Sequence, residues 1–265
     1  MTYLTINNSQ LLLATLLILV NLGLSLGFRL GLTRSLLIAS LRMVVQLLLI
    51  GFVLEWLFRQ DQPLLVLLMG LGMTAIAGHA AIERSQRRFS GMWLDSFLAI
   101  LGAAALVSGL ALEGILRVQP WYDPQYVITL LGMVLGNTLN GVSLGLDRFL
   151  ENLVRRQAEV ELLLSFGATR WEAARSCFQD ALRTGMLPML NSMAVTGVVS
   201  LPGMMTGQIL AGARPSDAVR YQVVILLMIA AATALGTLGI LWLSYRHLFD
   251  CRDRLRLERL QTDQG

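Results

Sequence analysis

The sequence contains no lysine; all 21 basic residues are arginine. A Walker A phosphate loop needs a lysine after its glycines to reach the terminal phosphates, so this chain carries no P-loop ATPase. Schiff-base chemistry and a Ser/Lys dyad are excluded for the same reason. Histidine is nearly absent, with His79 and His247 alone. Cys177 and Cys251 both fall in segments assigned below to the cytoplasm, where two free thiols are expected rather than a disulfide. No Cys/His cluster has zinc spacing. Charged residues are scarce, at 14% of the 265 residues, against roughly 25% in an ordinary soluble domain. What the chain has instead is apolar surface: 55% of residues are hydrophobic and the mean hydropathy is +0.64. A soluble fold of this size cannot hide so much, so lipid must solvate most of it.

Apolar runs of about 20 residues mark membrane helices. Seven are read: Ser9–Phe28, Ser35–Phe58, Pro63–Ile82, Met92–Arg117, Gln125–Leu146, Leu187–Ala211 and Val219–Tyr245. The first is expected to be a span, not a cleavable signal, because its arginines follow it and no small-x-small site precedes Arg29. The arginines then orient the bundle. With the N-terminus outside, Arg29, Arg34, Arg84, Arg87, Arg88, Arg148, Arg155, Arg156, Arg170, Arg175, Arg183, Arg246, Arg252, Arg254, Arg256 and Arg259 are cytoplasmic. Arg59, Arg117, Arg214 and Arg220 remain outside, and Arg42 lies within a helix. This one-sided placement accounts for the net charge of +4 without a nucleic-acid partner. The expected architecture is all-α and polytopic, with the C-terminus cytoplasmic. The tail from Arg246 reads as a helical continuation with a solvated face.

The one large soluble piece is residues 147–186, between the fifth and sixth spans. Phe149, Leu150, Leu153, Val154, Val160 and Leu164 recur at helical spacing, with Glu151/Arg155 and Arg155/Glu159 as i,i+4 pairs on the other face. An amphipathic helix over Arg148–Phe166 is predicted, ended by Gly167 in the left-handed region. Thr169-Arg-Trp-Glu172 has the form of a capping box. A second helix therefore starts near Arg170 and runs toward Leu187-Pro188. This cytoplasmic helix-turn-helix suits docking onto a partner protein; it would equally suit an amphipathic hairpin on the lipid surface.

Polar and breaker residues interrupt the spans. Pro202-Gly203 breaks the sixth, and broken membrane helices often mark substrate sites. Met204, Met205 and Gln208 follow directly, with Met204 and Gln208 on one face; the thioethers are soft metal ligands or packing groups. Asn137 and Asn140 share a face of the fifth span, flanked by the GxxxG pairs Gly132/Gly136 and Gly141/Gly145. Asn191 and Ser192 lie near the cytoplasmic end of the sixth. Arg42, with Gln46 one turn deeper, sits where an arginine costs about 2.5–3.5 kcal/mol on insertion scales. Snorkelling, a salt bridge to Asp95 or a pathway role would each account for it. His79 reads as an interface residue before a ligand. Glu55, Asp61, Glu113 and Asp123 read as boundary charges beside Trp56 and Trp121.

The stretch VELLLSFGATRWEA, with Glu161 six residues before Gly167, resembles the EAA-type loop of ABC transporter permeases. Leu187-Pro188 comes later than in importer permeases. ELLLSFGATRWEA, ALRTGMLPMLNSMAVTGVVSLPGMMTGQILAG and AVRYQ are similar to the iron-export ABC permease family (FetB-like), and plant aluminium-tolerance permeases are similar too. Arg42-Met-x-x-Gln46 also fits.

The resemblance implies a multi-pass permease of a cell membrane, a bacterial inner membrane foremost, working as a homodimer with a separate ATPase subunit. It implies that Glu161, Gly167, Ala168, Thr169, Arg170 and Glu172 couple to that ATPase. It favours a substrate pathway through Pro202, Met204, Met205 and Gln208; from the residues themselves, Asn137 and Asn140 are expected to face that pathway or the second subunit, Asn191 to line its cytoplasmic entrance, and Arg42 and Gln46 are candidates for it. ATP and magnesium belong to the partner, no cofactor is expected on this chain, and the chain itself is no enzyme. Iron export is the expected function. A nucleotide sugar such as UDP-glucose is the alternative cargo. An ATP-independent secondary transporter or channel is the alternative class, but no inverted repeat or dense relay supports it. An intramembrane protease lacks a Ser–His pair.

Overall fold

A computed structural model describes residues 7–60, 62–85, 87–250 and 253–262. Asp61, Cys251 and Arg252, named above, lie outside them. The chain divides into two compact units: Met1–Asp61 with Leu210–Gly212, and Gln62–Ile209 with Ala213–Gly265.

In the first unit, α1 (Asn8–Thr15) and α2 (Ile18–Gly27) replace the single first span that was predicted. The amides of Leu16 and Leu17 bond three residues back, to Leu13 and Ala14, which tightens the chain and interrupts the helix. Arg29 (φ +52°) and Gly31 (φ +70°) turn the corner into α3 (Thr33–Phe58). Ser25 Oγ and Thr33 Oγ1 meet across it at 3.1 Å. At 1.5 Å per residue, α3 is about 39 Å long. None of its most apolar stretch is buried, which fits a helix solvated by lipid.

The second unit is a helix bundle. It contains α4 (Pro63–Glu83), α5 (Met92–Gly109, continued by a π-helical turn Leu110–Leu116), α6 (Pro124–Arg155), α7 (Gln157–Ser165), α8 (Arg170–Val195), α9 (Gly203–Leu210, all but its last residue) and α10 (Pro215–Leu248). Proline stands in the first turn of α4, α6 and α10, where its missing N–H has no intrahelical partner to lose. α10 packs on α5, α6 and α8, and α6 also packs on α4. The core between them holds Ile100, Leu146, Phe149, Leu150, Leu153, Ile240, Leu241 and Leu248.

Small residues set how closely these helices approach. A Cβ on Gly145 would lie 2.6 Å from Thr237 Cγ2. On Gly185 it would lie 2.7 Å from both Gly141 O and Thr237 Cγ2, and on Gly236 2.5 Å from Thr138 Cγ2. Gly141 faces Thr233 in the same way. The Gly141/Gly145 pair is thus occupied inside the chain, whereas a Cβ on Gly136 would meet nothing within 4 Å. Five described helical segments are long and apolar enough to cross a membrane: α3, α4, α5 with its π turn, α6 and α10.

Three expectations need correction. The helix predicted over Arg148–Phe166 does not exist as one piece. α6 runs unbroken past Leu146 to Arg155, because Phe149, Leu150 and Leu153 are core residues of the bundle. The chain bends at Arg156 (φ −103°, ψ 22°), whose Nη2 lies 3.0 Å from Asp180 Oδ2 on α8, and α7 follows. Arg148 pairs with Glu151 at 3.0 Å, while Arg155 donates to Asn152.

The predicted sixth span, Leu187–Ala211, is also split. α8 carries the helix straight through Pro188 to Val195. The break lies at residues 196–202, earlier than Pro202-Gly203 alone implied. Val195 O accepts the amides of Val198, Val199 and Ser200, and Gly197 (φ +85°) donates to Ser200 O at 2.8 Å. Pro202 disfavours a helical Leu201 before it, so α9 begins afresh at Gly203.

The tail, finally, is no helical continuation. α10 stops at Leu248 and the chain folds back. Phe249 bridges to Leu255, a 3₁₀ turn follows at Leu257–Arg259, and β2 (Gln261–Thr262) pairs antiparallel with β1 (Arg87–Arg88).

Candidate functional site

The α7–α8 elbow is built from local rules. The amide of Ala168 bonds to Leu163 O and that of Gly167 to Leu164 O, each at 3.1 Å. That is a Schellman motif, which needs a left-handed residue after the helix; Gly167 supplies it at φ +89°. Thr169 then caps α8. Its Oγ1 accepts the Glu172 amide at 3.3 Å, and its own amide donates to Glu172 Oε2 at 2.8 Å. The predicted capping box is present. The amide and hydroxyl of Thr169 favour the charged form of Glu172 and hold its carboxyl below the ordinary range.

Trp171, in the first turn of α8, ties the elbow to the bundle. Its ring lies 5.2 Å from Phe178, 6.0 Å from Trp242 and 5.8 Å from Tyr245. Phe166, at the tip, is 82% exposed. Glu161 is exposed on α7 and accepts a bond from Gln157 Nε2 at 2.7 Å. Ala168 and Arg170 are half-buried. The structure therefore gathers Gly167, Ala168, Thr169, Arg170 and Glu172 into one corner, with Glu161 on the helix leading into it. Cys177, on the inner face of α8, is a buried free thiol whose pKa burial pushes up.

The expected pathway residues stand on α3, α6 and α8 and on or just before α9. Asn137 and Asn140 do share an exposed face of α6. Asn137 Nδ2 donates to Met133 O at 2.8 Å, and Asn140 Oδ1 accepts from Arg84 Nη1 at 2.7 Å. Asn191 and Ser192 are exposed near the end of α8. Pro202 precedes α9, on which Met205 is buried and Met204 half-buried. Gln208 Oε1 is buried with no hydrogen-bond partner among the described residues. Arg42 and Gln46 lie in the first unit, lining a groove of about 860 Å³ along α3 with Ser35 and Ala39.

Other expectations resolve locally. Asp95 pairs with His247 at 3.0 Å. His79 Nε2 lies 3.3 Å from Glu83 Oε1, and Glu55 pairs with Arg59 at 2.6 Å, all four exposed. Asp123 caps α6, accepting the Gln125 amide at 2.9 Å. Arg84 is the polar group that sequence reasoning missed. It looked like one loop arginine among several, and its partner Asn140 is 56 residues away. No local spacing signals such a pair.

Long apolar helices around a glycine-packed core, with a capped elbow between α7 and α8, define a multi-pass helical membrane protein. Comparison with known proteins agrees. The family described as Uncharacterised protein family (UPF0014) matches residues 8–249, and the chain belongs to it. It is 37% identical over 244 residues to UPF0014 membrane protein YjkA of Bacillus subtilis (strain 168), covering 92% of this chain and 96% of that one. It is 32% identical over 257 residues to the Probable iron export permease protein FetB of Escherichia coli (strain K12), covering 97% of each. It is 31% identical over 225 residues to UPF0014 membrane protein STAR2 of Oryza sativa subsp. japonica, covering 85% of this chain and 78% of that one. No solved structure matches the chain.

Proposed function

We propose that this chain is the membrane-spanning subunit of an ABC transporter that exports iron, with ATP hydrolysed on a separate subunit. The observation that carries the reading is the elbow: a Schellman turn at Gly167 and a capping box at Thr169 hold a rigid corner with Phe166 at its tip. Such a corner can be gripped by a partner and can pass force into α8, which packs on α6 and α10. The chain lacks the lysine that a P-loop ATPase of its own would need. The relative named as a probable iron export permease supports the cargo and its direction.

In this reading seven segments cross the bilayer, the first and sixth in broken form. The N-terminus lies outside, residues 147–186 and the C-terminus are cytoplasmic, and two copies of the chain assemble with two ATPase subunits. The permease makes no covalent change. It offers its cargo a site whose affinity differs between two conformations.

The Arg84–Asn140 pair beside Asn137 favours a second reading of the cargo. A guanidinium and two amides on one face suit an anionic, polar molecule such as a nucleotide sugar.

The test reconstitutes the chain in liposomes with and without a co-expressed ATPase subunit, and measures ATP hydrolysis and efflux of radiolabelled iron or UDP-glucose. Iron-stimulated, vanadate-sensitive hydrolysis is expected. Efflux that persists without ATP, or an ATPase that never co-purifies, would sink the proposal. Gly167→Val is expected to abolish stimulation while the chain still inserts, because a β-branched residue resists φ +89°.

A further inference from the structure

The tail does more than end the chain. Arg256 N donates to Leu248 O at 2.9 Å, and the Arg256 guanidinium pairs with Asp250. Arg259 Nη1 donates to His247 O at 2.6 Å, and the β1–β2 ladder ties the far end to the α4–α5 connection. Beneath lies a cavity of about 410 Å³ lined by Phe89, Ser90, His247, Leu248, Glu258 and Arg259. The tail is therefore strapped across the end of the bundle, where Leu255, Leu257 and Leu260 pack half-buried against the core.

Asp253 stands in this strap at φ +53°, a conformation that aspartate tolerates better than most residues. Its Oδ1 accepts the Arg170 amide at 3.3 Å and lies 3.7 Å from Arg170 Nε. Arg170 Nη1 reaches Asp250 O at 3.3 Å, and its guanidinium lies 5.9 Å from the centre of the Tyr245 ring. Arg170 is the first residue of α8, so its amide has no acceptor within the helix. The capping box takes care of the Thr169 and Glu172 amides. Of the two amides between them, that of Arg170 is satisfied from the tail, 83 residues away. A carboxylate at that end also suits the helix dipole.

We propose that Asp253 is a positioning residue: it completes the cap of α8 from outside, and through it the strap sets the angle at which the elbow leaves the bundle. A displacement of the elbow is then passed to the end of α10 and to the α4–α5 connection together. This deepens the proposed coupling role of the elbow and rests on it.

Two substitutions test it in the full chain in lipid nanodiscs. Asp253→Gly removes the carboxylate but keeps a residue at ease with positive φ. Asp253→Asn keeps an acceptor oxygen. Amide exchange over residues 170–175 is expected to run about fivefold faster in Asp253→Gly, the scale of one lost cap, with α6 and α10 unchanged. Asp253→Asn should stay near wild type. In the assembly with the ATPase subunit, Asp253→Gly should still co-purify but lose most iron-stimulated hydrolysis, and Asp253→Asn should retain it. Unchanged exchange in Asp253→Gly overturns the cap. Faster exchange with full stimulation overturns the positioning role. A wild-type chain with no stimulation at all marks failure of the transport reading instead, and the exchange comparison still judges the cap.

Discussion

His247 Nδ1 lies 3.0 Å from Asp95 Oδ2, joining the last turn of α10 to the first turn of α5. The Asp95 carboxyl sits at the helix end whose dipole favours a negative charge. The Asp95 side chain is 9% exposed and that of His247 44%, so the carboxylate relies on its partner more than the imidazole does. His247→Ala should therefore destabilise the bundle by about 1–3 kcal/mol, the usual result of leaving a buried polar group unpaired. The double change Asp95→Leu with His247→Leu should be milder, because no buried charge is left behind. Thermal unfolding of the purified chain in one detergent would check both; equal losses in the two variants would contradict this account.

The glycine contacts predict a suppressor. Gly145→Ala drives a Cβ to 2.6 Å from Thr237 Cγ2 and should cost about 1–3 kcal/mol by overpacking. Thr237→Ser deletes that methyl, and the combination should recover most of the loss. Gly185→Ala should not be rescued in this way, since its Cβ also meets Gly141 O at 2.7 Å. Melting temperatures of the two glycine variants, alone and combined with Thr237→Ser, decide the matter. Rescue of Gly185→Ala to the same degree would mean that the backbone contact is unimportant.

The capping box predicts an acid-sensitive corner. The Glu172 pKa is lowered in the folded chain, so its stabilising contribution is present above the ordinary glutamate pKa. It is lost as the pH falls through the lowered, folded-state value. The start of α8 should fray in that acid window, and Glu172→Gln should remove this step from the pH profile. Thr169→Ala should cost about 1 kcal/mol at neutral pH. Amide exchange at residues 169–173 followed against pH reads this directly; a wild-type profile identical to that of Glu172→Gln would count against the box.

What was legible in the sequence was local. Thr169 and Glu172 are three residues apart, so a single helical turn brings them together wherever the chain goes. Gly167 signals the preceding helix end for the same reason. The apolar runs of α3, α4 and α10 announce themselves by length, because a bilayer asks only for enough uninterrupted hydrophobicity. Phe149, Leu150 and Leu153 looked like one face of a surface helix. They are core because α6 continues past the apolar run, and a periodic stripe does not say which neighbour it packs on. The tail misled for the complementary reason: alternating Arg and Asp suit a solvated helix, yet Asp250 and Asp253 find Arg256 and Arg170 in a turned-back strap.

The amino-acid sequence by itself determined that this protein lives in lipid, carries no phosphate loop and bends sharply between Glu161 and Glu172. Each of these follows from composition or from contacts within a few residues. The tertiary structure alone decided that Thr233 and Thr237 fill grooves of Gly141, Gly145 and Gly185. It alone decided that Asp95 meets His247, that Arg84 meets Asn140 and that Asp253 caps α8. Such partners lie tens of residues apart or more, and only the packing of whole helices, each a rigid rod with one permitted register against its neighbours, brings them within bonding distance.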